Sequence, residues 1–257
     1  MTSPERIAFV TGGASGIGLA IAERLGRDGL AVAIADVDES GASAAADKIE
    51  ADGGSAFSLR CDVADLDQVR QSIGATVERF GGLDVLVSNA GFDEPGFFLQ
   101  SDPSRWQRVL DVNLVGVLNC TFAAAPELAR RSAETGYARI VNIASDAGRV
   151  GSLGEAVYSA AKGGVIAFTK AMARELARDR ITVNAICPGP ADTPMTDAIR
   201  QTEIGAKLMD RMIAATPLKR LVRADEVAGA VAYFVGEDAA FATAQVLSLS
   251  GGLTIPG

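Results

Sequence analysis

Short β-rich apolar runs alternate along the chain with longer stretches whose apolar residues recur every three or four positions. The runs are RIAFVT (6–11), AVAIAD (31–36), SAFSLR (55–60), LDVLVS (83–88), ARIVNIAS (138–145), ITVNAI (181–186) and QVLSLS (245–250). Between them, Ile17, Ile21 and Leu25 repeat in steps of four, and Val165, Phe168, Met172 and Leu176 in steps of three or four. Both patterns keep one helix face apolar. Strand and helix taking turns predict an α/β doubly wound domain, a seven-stranded and mostly parallel sheet with helices on both faces. Seven strands and their crossovers use most of the 257 residues, so 1–257 is read as a single domain. The least regular part is 188–222, with three early prolines, one late proline and a helical pattern between. It reads as a substrate-binding segment or as a surface excursion.

Composition narrows the chemistry. The chain has no histidine, which removes Ser-His-Asp and Cys-His mechanisms and leaves acid–base work to Tyr, Lys, Asp or Glu. Cys61, Cys120 and Cys187 are far apart and form no CxxC, so a metal site is not expected and the thiols read as reduced and buried. The formal net charge is −8 and no Lys/Arg run occurs, which argues against nucleic acid or an anionic membrane as partners. No signal-peptide layout or uninterrupted apolar span of about 18 residues is evident, so a cytoplasmic location is the default expectation.

VTGGASGIGLAIAERL follows the first strand and opens the first helix. Gly12, Gly16 and Gly18 let the backbone turn tightly and approach a ligand, and the helix N-terminus offers free N–H groups to a pyrophosphate. Asp36 ends the second strand 18 residues after Gly18, near the spacing of about 20 expected for a ribose-binding acid in a Rossmann-type domain. A carboxylate there accepts bonds from ribose hydroxyls and repels a 2′-phosphate, and Ser15 offers that phosphate no cation. NAD is therefore the expected cofactor.

Further on, Tyr158 and Lys162 stand four apart and share one face of a helix. An ammonium beside a phenol stabilises the phenolate and lowers the tyrosine pKa from about 10. Such a pair is a proton-transfer group for a chain without histidine.

These residues resemble the short-chain dehydrogenase/reductase family over nearly the whole chain. TGGASGIG resembles its TGxxxGxG turn, which adds Ile17 to the cofactor-binding residues. CDVAD resembles the segment that sets Asp62 and Val63 against the adenine. SNAG resembles NNAG, with Asn89, Ala90 and Gly91 beside the cofactor and Ser88 in place of the usual first Asn. PGPADT resembles the loop whose Pro188, Gly189 and Thr193 contact the nicotinamide end. Asn113, Ser145, Tyr158 and Lys162 match the family's catalytic four, with Ser145 thirteen residues before Tyr158. The resemblance implies that Tyr158 exchanges the substrate proton and Ser145 holds the same oxygen. It also implies that Lys162 grips the nicotinamide ribose and that Asn113 holds a water leading to solvent. Ala244 stands where many members have Gly, which puts the local turn in question. A homotetramer built on the two longest helices and the last strand is a further implication.

IVNIASDAGRVGSLGEAVYSAAKGG, CPGPADT and VLSLSGGLT resemble one branch, the 2-hydroxycyclohexanecarboxyl-CoA dehydrogenases, which oxidise a ring hydroxyl beside a CoA thioester. The resemblance implies a small-molecule substrate, cyclic or acyl-CoA. Arg149, Lys207, Arg211, Lys219 and Arg220 are then candidate partners for CoA phosphates, or solvated surface charge. Phe92, Phe97, Phe98 and Leu153 line an apolar pocket on this reading, or belong to the core. Glu155 is placed to face that pocket. The other enzyme reading is a 3-oxoacyl-carrier-protein reductase, and a non-catalytic NAD-binding regulator is the remaining alternative.

Overall fold

The computed structural model describes residues 6–201 and 203–255. Its strands are β1 (Ile7–Thr11), β2 (Ala31–Asp36), β3 (Ser55–Arg60), β4 (Val85–Ser88), β5 (Ala138–Ile143), β6 (Ile181–Pro188), β7 (Ala191–Asp192), β8 (Val222–Arg223) and β9 (Val246–Leu249). The helices are α1 (Gly16–Arg27), α2 (Glu39–Ala51), α3 (Leu66–Phe80), α4 (Pro103–Leu110), α5 (Gly116–Thr135), α6 (Ala147–Val150), α7 (Ala156–Glu175), α8 (Pro194–Arg200), α9 (Glu203–Ala215) and α10 (Ala224–Val235). Seven strands form one sheet in the order β3-β2-β1-β4-β5-β6-β9, and every pairing in it is parallel. The sheet is the Rossmann-type doubly wound arrangement that the alternating pattern predicts.

Strands buried on both faces explain the unbroken apolar runs: β1, β4, β5 and β6 are buried at every position. One core layer joins Val10, Val32, Ile34 and Val87 to Ile21 and Leu25 of α1 and to α10. The other joins Phe9, Leu86 and Ile140 to α3 and to Cys120, Ala124 and Leu128 of α5. Cys61, Cys120 and Cys187 are free and buried. The helical run Pro103–Thr135 reaches the length and hydropathy of a membrane span, yet 44% of its most apolar window lies inside the protein against the sheet.

Two boundaries differ from the sequence pattern for physical reasons. In LDVLVS the strand starts only at Val85, because the Asp84 carboxylate is engaged by the Ile7 N–H and by Arg131. In ARIVNIAS the strand stops at Ile143, and Ser145 turns out toward the site. The 188–222 segment folds as β7, α8, α9 and β8, with β7 and β8 paired in a separate two-stranded parallel sheet.

Candidate active site

Because the seven strands are parallel, their C-terminal ends share one edge, and the chemistry-bearing residues collect there. Gly12 follows β1 with φ of +67°, and a Cβ on it would fall 2.7 Å from the Ala90 backbone. Gly18 is tighter still, since a Cβ would sit 1.9 Å from the Gly12 carbonyl oxygen. Asn89 explains the closeness: its amide donates to the carbonyls of Thr11 and Gly12, each at 3.0 Å. The Thr11 hydroxyl accepts from the N–H groups of Asn89 (3.0 Å) and Ala90 (3.1 Å). Thr11 thus ties the glycine turn to the segment after β4, a role that sequence reading passed over.

The groove this leaves suits a dinucleotide. Helix α1 opens with Ser15 at its N-cap making no side-chain cap bond, and Ile17 lies in the first turn. Asp36 accepts from the N–H of Ala14 and of Asp38, each at 3.0 Å, so its carboxylate is fixed at the end of β2. Asp38 caps α2, and the Gly41 N–H holds its carboxyl below the usual range. Asp62 is braced by Arg108 at 2.9 Å, and Val63 is buried against Gly116. Across the groove, the side chain of Thr193 lies 3.7 Å from where a Gly16 Cβ would stand. Gly189 donates to Leu249 of β9 at 2.9 Å, and the Pro188 carbonyl accepts from Asp146 at 3.1 Å. The close glycine turn, the helix N-terminus and the fixed acid fit a nicotinamide dinucleotide.

The proton-transfer group sits beside it. Tyr158 and Lys162 lie on α7, with Lys162 Nζ 5.7 Å from the Tyr158 ring centroid. Lys162 is 3% exposed and donates to the Ile143 carbonyl at 2.9 Å. Ser145 lies beside the Tyr158 hydroxyl, and the Ser145 hydroxyl oxygen accepts from the Ala147 N–H at 3.1 Å. Asn113 lies in a wide π turn at Asp111–Val115 between α4 and α5, a distortion common at functional sites. Its amide donates to the carbonyls of Phe92 (2.7 Å) and Val109 (2.9 Å), while its buried Oδ1 has no partner among the described residues. A Cβ on Gly91 would come within 2.6 Å of that Oδ1 and 3.3 Å of Lys162 Nζ. The four residues therefore meet, with an acceptor left open between them.

The electrostatics differ from the simple tyrosine–lysine expectation. Burial raises the Tyr158 phenol well above its ordinary value; the neighbouring Ser145 hydroxyl opposes this, and the charges of Asp93 and Glu155 reinforce it. Burial also brings Lys162 down to about 8. Desolvation is the largest influence on both members of the pair. Burial pushes the neighbouring Cys187 thiol up to about 12, which makes it inert.

A cavity of about 250 Å³ ends on Tyr158. Phe98 lines it and stacks on Trp106 at 4.7 Å. Phe92 packs into the core, whereas Phe97 and Leu153 are exposed. Three of the candidate CoA-binding cations are engaged elsewhere. Arg149 donates to the Val246 carbonyl and to Ser248, Lys219 to the Ala214 carbonyl, and Arg220 pairs with Glu226. Arg211 is exposed on α9. A larger hollow of about 520 Å³, between Tyr233, Phe241 and Leu247, holds none of the site residues.

Comparison with known proteins agrees with this geometry. The family model described as enoyl-(acyl carrier protein) reductase matches residues 12–254. A protein described as a ketoacyl reductase of Streptomyces coelicolor is 42% identical over 258 residues, covering 98% of each chain. The 3-oxoacyl-[acyl-carrier-protein] reductase FabG of Staphylococcus aureus is 38% identical, covering 96% of this chain and 97% of its own. A variant of the actinorhodin polyketide ketoreductase, crystallised with NADPH, superimposes with a TM-score of 0.91 at 41% identity, over 98% of this chain and 99% of its own. Levodione reductase superimposes with a TM-score of 0.90 at 32% identity, over 96% of both chains.

Proposed function

The chain belongs to the short-chain dehydrogenase/reductase family, and from that premise we propose that it interconverts a secondary alcohol and a ketone by hydride transfer with NAD(H). The observation that carries this reading is the Tyr158 hydroxyl set beside Ser145, with buried Lys162 alongside, at the same sheet edge as the glycine turn. Bound in the groove, the nicotinamide supplies or accepts the hydride. Gly12, Ser15, Gly16, Ile17, Gly18, Asp36, Asp62, Val63, Asn89, Ala90, Gly91, Pro188, Gly189 and Thr193 would hold the dinucleotide, together with Tyr158 and Lys162.

The remaining work falls to the chain's own side chains. Tyr158 gives its proton to the carbonyl oxygen in reduction and takes it back in oxidation. Ser145 bonds the same oxygen and keeps it beside the phenol. The Lys162 ammonium favours the phenolate against the burial that opposes it. The open Oδ1 of Asn113 suits a water that joins Lys162 to solvent.

The preference for NAD is supported by Asp36 and Asp38, two carboxylates where a 2′-phosphate would lie. The similar ketoreductase crystallised with NADPH favours the other cofactor, so both must be tried. The stacked Phe98 and Trp106 suit a ring-bearing substrate such as a cyclic hydroxy compound. A CoA thioester keeps less support once Arg149, Lys219 and Arg220 are committed elsewhere. Reduction of a 3-oxoacyl carrier-protein thioester is the second reading, favoured by the likeness to FabG. A homotetramer through α5, α7 and β9 is supported by exposed Phe122 on α5 and Leu247 on β9.

The test is NADH and NADPH formation or loss with cyclic alcohols and ketones, their CoA thioesters and 3-oxoacyl thioesters, with Tyr158→Phe as the blank. Turnover of a ketone–alcohol pair that the blank lacks supports the reading. Cofactor binding with no turnover across the panel refutes it and leaves a nucleotide-binding regulator.

A further inference from the structure

Asp93 and Glu155, 62 positions apart in sequence, meet beside Tyr158 in the 250 Å³ cavity. Their loops are joined by the Gly96 N–H donating to the Gly154 carbonyl at 2.7 Å. Glu155 stands at the N-cap of α7 yet makes no cap bond with its side chain. It lines the same cavity as Asp93 instead, close enough for its charge to act on that carboxyl. Desolvation, followed by the Glu155 charge, pushes Asp93 up to about 7.

The charged groups around this pair leave the cavity negative. Glu94 is taken by Arg105, the lining cation. Asp102 caps α4 through the Ser104 N–H. Lys162 is directed to the Ile143 carbonyl, and the Cys187 thiol is held neutral by burial. Phe98, Trp106 and Val109 add apolar surface to the lining.

Resting on the ketoreductase reading, we propose that the Asp93–Glu155 pair is a specificity-determining wall that selects the charge of the substrate. It admits an uncharged group beside the reacting carbon, such as a hydroxyl, ester or amide, which exchanges hydrogen bonds with a half-protonated pair. It turns away a carboxylate or phosphate, which would lie against existing negative charge. As pH rises through about 7 Asp93 loses its proton, so rejection of anions steepens.

Trp106 is the chain's single tryptophan and lines this cavity, so its fluorescence reports occupancy without turnover. The experiment titrates cyclohexanecarboxamide and cyclohexanecarboxylate into the NAD⁺-saturated protein, below and above neutral pH. It compares the wild type with Asp93→Asn and Glu155→Gln. The amide should bind about tenfold tighter than the carboxylate, with a gap that widens with pH and shrinks to about threefold or less in each variant. A carboxylate that binds as well as the amide overturns the proposal. So does a gap that ignores pH in the wild type or survives both substitutions, and so does a failure of both probes to bind. Loss of the function reading shows separately, as absent ketone turnover with the fluorescence difference intact.

Discussion

Lys162 Nζ lies 5.7 Å from the Tyr158 ring centroid and is anchored by the Ile143 carbonyl at 2.9 Å. The lysine thus reaches the phenol from a position fixed by a central strand. Tyr158→Phe removes the exchangeable proton and leaves this packing in place. Its kcat should fall by about 10²–10⁴-fold with the NAD dissociation constant changed by less than about threefold. Single-turnover rates beside cofactor titration check the split.

Burial of Lys162 has a thermodynamic signature. Its folded value near 8 lies below the unfolded value near 10.5, so between these pH values the unfolded chain binds more protons. The penalty is full below about pH 8 and is relieved as pH rises toward 10.5. The stability of Lys162→Met relative to wild type should therefore be greater at pH 7 than at pH 10, by about 2–3 kcal/mol. Urea unfolding of both proteins at the two pH values measures it, and a pH-independent difference contradicts it.

Asp36 is held by the N–H groups of Ala14 and Asp38, and on the proposed NAD reading its carboxylate would repel a 2′-phosphate. Asp36→Ala should raise kcat/KM with NADP(H) relative to NAD(H) by at least about tenfold. Parallel steady-state measurements with the two cofactors decide this.

Ala244 has φ of +59° while its N–H donates to the Val183 carbonyl at 2.8 Å, so the strain is held in place by the β6–β9 junction. Ala244→Gly should stabilise the fold by about 1 kcal/mol, raising Tm by about 2–4 °C. Calorimetry checks it, and a lower Tm would show that the added chain entropy wins.

What was legible in the sequence depended on local rules. The glycine turn shows itself because a Cβ at Gly18 has nowhere to go, and Tyr158 and Lys162 because helical spacing brings them to one face. Ala244 stands out only against the family resemblance, where Gly is usual, and its φ of +59° places strain at that turn. Long-range partners were not legible. Arg149 reads as a free cation in sequence, yet strand order delivers Val246 and Ser248 to it. The Asp93–Glu155 pair depends on two loops meeting, which no local period announces. The lowered tyrosine pKa was expected from charge alone, and the depth at which α7 buries Tyr158 reverses it.

The wholly parallel sheet gives the molecule two rims with different obligations. Thr11, Asp36, Ser88, Ile143 and Pro188 end their strands at the chemical rim, where every following loop touches the groove or cavity. At the other rim, Tyr137 is clasped between the guanidinium groups of Arg6 and Arg139, 3.9 and 4.3 Å from its ring, and donates to the Val235 carbonyl. Heritable change can thus be sorted by location: loops at the first rim can be exchanged for new substrates while the second keeps the sheet anchored. A lineage built on this chain can explore chemistry without renegotiating its foundation.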